Sequence, residues 1–252
     1  MPRSNRRLLN LIEQIVEDET STTKSFHYVS EEEEGGSSER RKFSRTFHLP
    51  WSLGATDDDK TYTLKEVEQM FDGKEVVISE KIDGENSTVY SDGFCHARSV
   101  DSAHHPSRTF LKAKAKQIGC DLPKGWRLVG ENVYAKHSIA YTELPDYFIL
   151  FGVVDEKNIA RPWDEVEEWA ALLDIPHVPV IWRGIWDTKK IMGLYPFKSK
   201  VGGEVAEGYV VRMANSFPMD QYVQNTAKFV RKNHVQTDRH WSLATVVPNK
   251  KA

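Results

Sequence analysis

Val76-Val77-Ile78-Ser79-Glu80-Lys81-Ile82-Asp83-Gly84-Glu85-Asn86 is the stretch on which the reading of this chain turns. Its β-branched run predicts a strand, and Asp83-Gly84 predicts a tight acidic turn. Lys81 stands between the two, which places an amine at the mouth of a pocket. A lysine held there can serve as a nucleophile toward a carbonyl carbon or toward phosphorus. At its ordinary pKa of about 10.4, less than about 0.1% of a lysine is neutral at pH 7. A nearby cation favours the neutral, nucleophilic amine, so the chemistry calls for a divalent ion and for a phosphate site supplied by the rest of the chain.

The 252 residues suffice for one large domain or two small ones. With 39% hydrophobic and 28% charged residues, the composition is that of a soluble globular protein. A net charge of -3 excludes a polycation, so any nucleic-acid surface must be a local basic patch. Cys95 and Cys120 lack metal-type spacing and fit a reduced, intracellular, cytoplasmic setting. No apolar run reaches transmembrane length, and no membrane partner is expected. Arg3, Arg6 and Arg7 are followed closely by Glu13, Glu17, Asp18 and Glu19, which argues against a signal peptide.

Upstream of the central stretch, residues 5–18 place Leu8, Leu9, Ile12, Ile15 and Val16 on one face of an amphipathic helix. Residues 30–42, SEEEEGGSSERRK, read as a flexible acidic linker. The expected organisation is a helix and linker over 1–45 followed by a catalytic domain over 46–252. Asp57, Asp58 and Asp59 read as a solvated loop ahead of an N-capped helix at 63–71. From 75 to 99, short β-rich runs (EVVISEK, STVYS, FCHARS) alternate with glycine turns, and Ser91-Asp92-Gly93 predicts a hairpin. Downstream, residues 107–118 predict a helix with Phe110, Leu111, Ala115 and Ile118 inward and Lys112, Lys114 and Lys116 on its basic side. Strands are predicted at 127–131, 147–154, 175–182 and 205–212, and a helix at 164–173. His96, His104 and His105 lack a full ligand set and read as structural, and Trp163, Trp169, Trp182 and Trp186 read as core. Runs of strands with a few helices argue an α+β fold with mainly antiparallel sheets.

Four segments place charges beside β-forming residues: 81–84, 129–134, 206–212 and 227–232. Any one alone reads equally as surface. Together they compose a nucleotide pocket. Two lysines and an arginine can neutralise a triphosphate, and two glutamates and an aspartate can hold the waters of a magnesium ion and a ribose hydroxyl. Aromatic and β-branched residues such as Phe151 and Val210 can sandwich a base.

The order of these segments resembles the covalent lysine nucleotidyltransferases, which comprise ATP-dependent RNA ligases, DNA ligases and mRNA capping enzymes. Their Lys-x-Asp-Gly motif is matched by Lys81, Asp83 and Gly84. Within them the chain is most similar to the phage RNA ligase 2-like branch, on Glu80 directly before the lysine and Asn86 five positions after it. The resemblance spans about residues 46–240. It implies a nucleotidyltransferase (adenylyltransferase) domain of antiparallel sheets flanked by helices, ATP-grasp-like in outline.

It also implies roles. Lys81 would attack the α-phosphorus of ATP, release pyrophosphate and become lysyl-AMP. Glu80 would face the adenine amine, with Phe151 and Val210 on the two faces of the ring. Asp83 and Glu207 would bind waters of the catalytic Mg2+ (or Mn2+), and Glu131 would hold the ribose or a metal water. Arg98 would lie near the ribose and the RNA end, Asn86 would act in sealing, and Lys228 would contact the α-phosphate. The family's last motif has two lysines separated by one residue; here Val230 takes the second place, leaving Arg231 or Lys232 to supply that cation. After residue 240 little sequence remains, and no separate C-terminal OB or helical domain is expected.

These readings converge on an ATP-dependent RNA ligase that transfers AMP to a 5′-phosphate and seals it to a 3′-hydroxyl, with RNA ends in nicked duplexes or RNA/DNA hybrids as partners, in RNA repair. A monomer is expected. A DNA ligase or capping-type nucleotidyltransferase is the enzymatic alternative. A nucleotide- or RNA-binding module without turnover is the non-enzymatic one.

Overall fold

The structure is a computed structural model and describes residues 39–203, 205–232 and 246–252. The helix expected over 5–18 and most of the acidic linker lie outside the described residues. Two antiparallel sheets organise the fold. One has four strands in the order β10-β8-β1-β7, the other six in the order β3-β2-β4-β5-β6-β9. In chain order the strands are β1 (Glu75–Glu80), β2 (Glu85–Tyr90), β3 (Cys95–Ala97), β4 (Arg127–Asn132), β5 (Phe148–Val154), β6 (Ile159–Ala160), β7 (Val180–Ile185), β8 (Gly208–Met213), β9 (Phe217–Pro218) and β10 (Thr226–Val230). The α+β expectation holds.

β1 and β2 are consecutive in sequence yet belong to different sheets. The four residues 81–84 are therefore the crossing between sheets. β1 is buried at five of its six positions because β7 and β8 flank it and both faces are covered. Gly84 is required where the crossing meets β4: a Cβ there would lie 2.8 Å from the Asn132 carbonyl oxygen and 2.9 Å from Glu131 Cγ. The predicted hairpin is β2–β3, with Gly93 at φ 76 closing the turn where a side chain would be strained.

Helices cover the outer faces. α1 (Leu64–Phe71) starts at Thr63 in a reciprocal capping box with Glu66 and buries Val67 and Phe71. α2 (Thr109–Gly119) buries Leu111, Ala115 and Ile118. Phe110, expected inward with them, is half-buried on another side and packs edge-on against Tyr147 with ring centroids 5.2 Å apart. Helical spacing puts it away from the 111/115/118 stripe. Lys114, on the side read as basic, pairs with Asp146 at 3.0 Å. α3 (Trp163–Leu172) buries Trp163, Val166 and Trp169, and two short helices, α4 (Thr188–Met192) and α5 (Tyr222–Asn225), complete the set. Trp186 stacks on Phe71 at 4.9 Å, so three of the four tryptophans read as core are buried; Trp182 is half-exposed at the outer strand β7.

Residues 39–45, expected as the end of the linker, pack onto this body. Phe43 is buried between the rings of Phe151 and Tyr222. One apolar aromatic in a polar run is enough to dock the segment once a complementary slot exists, and the slot is made by residues over a hundred positions away. Among the described residues, no helix is long and apolar enough to cross a membrane.

Candidate active site

The inner faces of the two sheets enclose a cavity of about 550 Å³. Strand alternation decides which side chains enter it. From the four-stranded sheet come Ser79, Val210, Arg212 and Lys228. The registers Ser79↔Val210 and Lys228↔Val210 set three of them in one row. From the six-stranded sheet come Asn86, Val129, Glu131 and Phe151, with Asn86 paired to Glu131 across β2 and β4. Lys81 sits at the rim, where the chain passes from one sheet to the other.

Lys81 Nζ donates to Glu207 Oε2 at 2.8 Å. Burial opposes the charge on this amine, but the carboxylates of Glu207, Glu131 and Asp83 outweigh it and hold the lysine protonated well above its ordinary range. Glu131 is the converse case. Burial, reinforced by the like charges of Glu207, Asp83 and Glu85 and opposed by Lys81, pushes its carboxyl up to about 8. Lys228 is drawn below its ordinary value by burial and by the neighbouring charge of Lys81, with Asp59 and Glu207 opposing. The site thus concentrates charge of both signs in a partly dry space.

Glu80 is only 1% exposed and lies beside the cavity. Its Oε2 accepts from the Lys200 backbone N–H at 2.9 Å, while its Oε1 is buried without a partner among the described residues. Burial raises this carboxyl, and the contacts from Ser199 and Lys200 only partly offset that. An unmet acceptor in a cavity that also presents Phe151 and Val210 from opposite sheets fits a flat ring bearing an amino group. The Asn86 Oδ1 is a second buried acceptor without a partner.

Arg212 ends the 206–212 segment and has no role among those the resemblance implies. It is 7% exposed, lines the cavity two residues beyond Val210, and lies over the rings of Trp163 and Phe217. Its Nη2 donates to the Arg161 carbonyl oxygen, and its Nη1 is buried without a partner among the described residues. Burial lowers its pKa to about 10, which leaves it charged at neutral pH. A buried guanidinium with no carboxylate against it costs several kcal/mol, so this donor is poised for a group from outside. The period-2 alternation from Val210 was the signal that could have found it.

Not every expected site residue enters the cavity. Asp83 Oδ2 accepts instead from the backbone N–H groups of Ser138 and Ile139 at 2.7 and 2.8 Å. Among the described residues no three His, Cys, Asp or Glu side chains are grouped to hold a metal by themselves, so the expected trio Asp83, Glu131 and Glu207 does not converge as a cage. Glu207 does not line the cavity either; all three carboxylates are close enough to act on Lys81, and Glu131 is the one that enters the cavity. One or two carboxylates plus substrate phosphates are what a magnesium ion takes. Arg231 does not line the cavity: its N–H donates to the Glu207 carbonyl oxygen at 2.9 Å, and its charge acts on Tyr195. Lys232 is exposed and also outside the lining. Arg98 is exposed at the cavity edge.

Comparison with known proteins follows the same outline. Residues 74–230 match the family model described as RNA ligase. No curated protein matches the chain in sequence. The solved structure of Naegleria gruberi RNA ligase with pyrophosphate is similar at a TM-score of 0.53 and 15% identity, over 76% of this chain and 56% of that one. A mutant of the same ligase with AMP and Mn gives 0.53 and 14%, over 75% and 56%. At such identity the likeness is one of fold, and the chain spans 56% of the length of those ligases.

Proposed function

This chain belongs to the RNA ligase family, and on that premise we propose that it is an ATP-dependent RNA ligase working through a covalent lysyl-AMP at Lys81. The observation that carries the reading is the position of Lys81, at the crossing between the sheets and on the rim of a cavity holding the unmet acceptor of Glu80. Glu80 Oε1 accepts from the amine of adenine, Val210 and Phe151 cover the two faces of the ring, and Arg212 Nη1 donates to a ring acceptor at its inner edge. Glu80 before the lysine and Asn86 after it support placement in the phage RNA ligase 2-like branch.

In the first step the Lys81 amine attacks the α-phosphorus. A P–N bond forms, the P–O bond to pyrophosphate breaks, and the protons that the amine gives up pass to solvent water. A divalent metal, when bound, would be held by Glu131 and Glu207 and would neutralise charge on the phosphates. Glu131, whose carboxyl burial pushes up to about 8, would have to give up a proton to serve as such a ligand. Engaged by the metal, Glu207 would have less negative charge with which to hold Lys81 protonated. Lys228, close enough to Lys81 for their charges to act on each other, stabilises the leaving pyrophosphate. AMP then passes to a 5′-phosphate end, and a 3′-hydroxyl displaces it to form the phosphodiester. Asp83 orients the crossing through residues 138 and 139. Neutral amine, in-line placement and charge stabilisation are the three contributions asked of the protein.

Incubation with α-labelled ATP and Mn2+ or Mg2+, followed by denaturing electrophoresis, tests this. A labelled band at the mass of the chain, lost in Lys81→Ala, is the expected result. Binding of ATP with no covalent label in any metal would instead make the chain a nucleotide-binding module, and labelling by GTP alone would make it a guanylyltransferase.

A further inference from the structure

Residues 41–47 form a strap without regular structure across one side of the cavity. At one end Phe43 N–H donates to the Arg98 carbonyl oxygen at 3.0 Å, beside the six-stranded sheet. At the other, the Phe47 carbonyl oxygen accepts from Lys228 N–H at 2.9 Å, on the four-stranded sheet. The strap is fastened at several points. Arg40 pairs with Asp92 and lies over the rings of Tyr90 and Phe94, at 4.3 Å from each centroid. Phe43 is buried against Phe151 and Tyr222, and Thr46 Oγ1 shares a 3.1 Å hydrogen bond with the Tyr222 hydroxyl.

Between those fastenings Lys42 and Arg45 are exposed and line the cavity, as does Arg98. None of the three forms an ion pair among the described residues. The chain's overall charge is negative, so three unpaired cations on one rim are a local concentration rather than a general property of the surface. Behind the strap a smaller recess adds Arg127 and one acid, Asp220. Lys228 continues the row of cations toward Lys81.

We propose that Lys42 and Arg45, with Arg98, form a backbone-phosphate track that delivers a single polynucleotide strand to Lys81. The inference rests on the ligase reading above. Two features favour a polymer over the triphosphate of ATP. Lys42 and Arg45, three residues apart on the strap, can stand up to about 10 Å from each other, a separation that successive backbone phosphates reach and adjacent phosphates of one triphosphate do not. The cations are also exposed and separated, as in contacts that follow a backbone, rather than convergent on one anion. Because the fastened residues fix the strap, the cations are presented without a backbone ordering cost on binding.

The test measures binding of a 5′-phosphorylated single-stranded RNA to the full chain by fluorescence anisotropy across a salt series. It compares the native protein, Lys42→Gln/Arg45→Gln, and the charge-keeping Lys42→Arg/Arg45→Lys. Each single-strand phosphate contact contributes about 0.7 to the slope of log K against log salt. The glutamine pair should flatten that slope by about 1.4 and weaken binding at 0.1 M salt by about tenfold or more, while the charge-keeping pair should retain the native slope. In parallel, enzyme loaded to equal lysyl-AMP occupancy is mixed with RNA, and single-turnover AMP transfer should slow in the glutamine pair. An unchanged salt slope in the glutamine pair, or equal loss in both variants, overturns the track. If the native protein never forms lysyl-AMP, the ligase reading fails, and the salt series still decides whether the strap binds RNA.

Discussion

Lys81 Nζ and Glu207 Oε2 lie 2.8 Å apart, brought together because β1 and β8 run antiparallel and Lys81 N–H donates to the Gly208 carbonyl oxygen at 3.0 Å. The pair keeps the nucleophile charged, and therefore silent, until something draws the carboxylate's charge away. Lys81→Ala and Lys81→Arg should abolish the covalent AMP adduct. Glu207→Gln should slow its formation by about 10²-fold or more, although it removes the group that holds the lysine protonated, because a metal that neutralises the phosphates then loses one of its carboxylate ligands. Electrophoresis of the labelled adduct reads both, and a Glu207→Gln enzyme faster than native would reverse this assignment.

Glu131 makes the site pH-dependent in a defined direction. Burial, with the like charges around it, pushes its carboxyl up to about 8, so below that pH a metal must displace a proton. Affinity for Mn2+ in the presence of ATP should strengthen from pH 6 to about 8 and then level off, with proton release visible as a buffer-dependent heat in calorimetry. Glu131→Gln should flatten the dependence. The stability sign follows: a carboxyl raised on folding favours the folded state while protonated, and that contribution is lost as pH rises through about 8.

Arg212 is buried and charged, with one nitrogen unmet. Arg212→Met should raise the ATP concentration needed for half-maximal adduct formation about tenfold, with a smaller effect on the maximal rate, and Arg212→Lys should recover part of the loss. Equal loss with both substitutions, accompanied by a fall in Tm, would mark a purely structural cation.

Asp83 separates two roles by substitution. Its Oδ2 accepts two backbone N–H groups, a task an asparagine oxygen can take over. Asp83→Asn should keep adduct formation within about tenfold of native and Asp83→Ala should lose more. A metal ligand would instead be lost in both.

Gly208 faces β10 with no room for a side chain. A Cβ there would collide with the Phe229 carbonyl oxygen, a contact with backbone that no rotamer relieves. Gly208→Ala should destabilise the fold by about 3 kcal/mol or more, a fall in Tm of about 6–12 °C. Thermal unfolding by circular dichroism measures it.

Much of this was legible in residue order. The apolar run 76–78, the Ser91-Asp92-Gly93 turn and the Thr63/Glu66 cap are local signals, and the structure has β1, the β2–β3 hairpin and α1 where they point. Glu80, Asn86, Glu131, Phe151, Val210 and Lys228, to which the resemblance gives roles, all line the cavity. What escaped was set by distant partners. Phe43 lies in a polar run that reads as linker, and only Phe151 and Tyr222 make it core. Asp83 carries the right charge at the right place in the motif, but the N–H groups that capture it belong to residues 138 and 139.

The sequence by itself determined which groups are present and how each strand alternates, because side-chain chemistry and the two-residue period are local properties of the chain. It thereby determined that a lysine follows a buried strand and that glutamates and a second lysine end or edge others. Only the tertiary structure decided that β1 and β2 lie in different sheets, that the residues between them form the rim of a cavity, and that Lys81 meets Glu207 across 126 positions. Sheet pairing is a contest among many distant strands, and charge states follow from whatever that pairing places within a few ångströms. Neither can be read from neighbours in sequence.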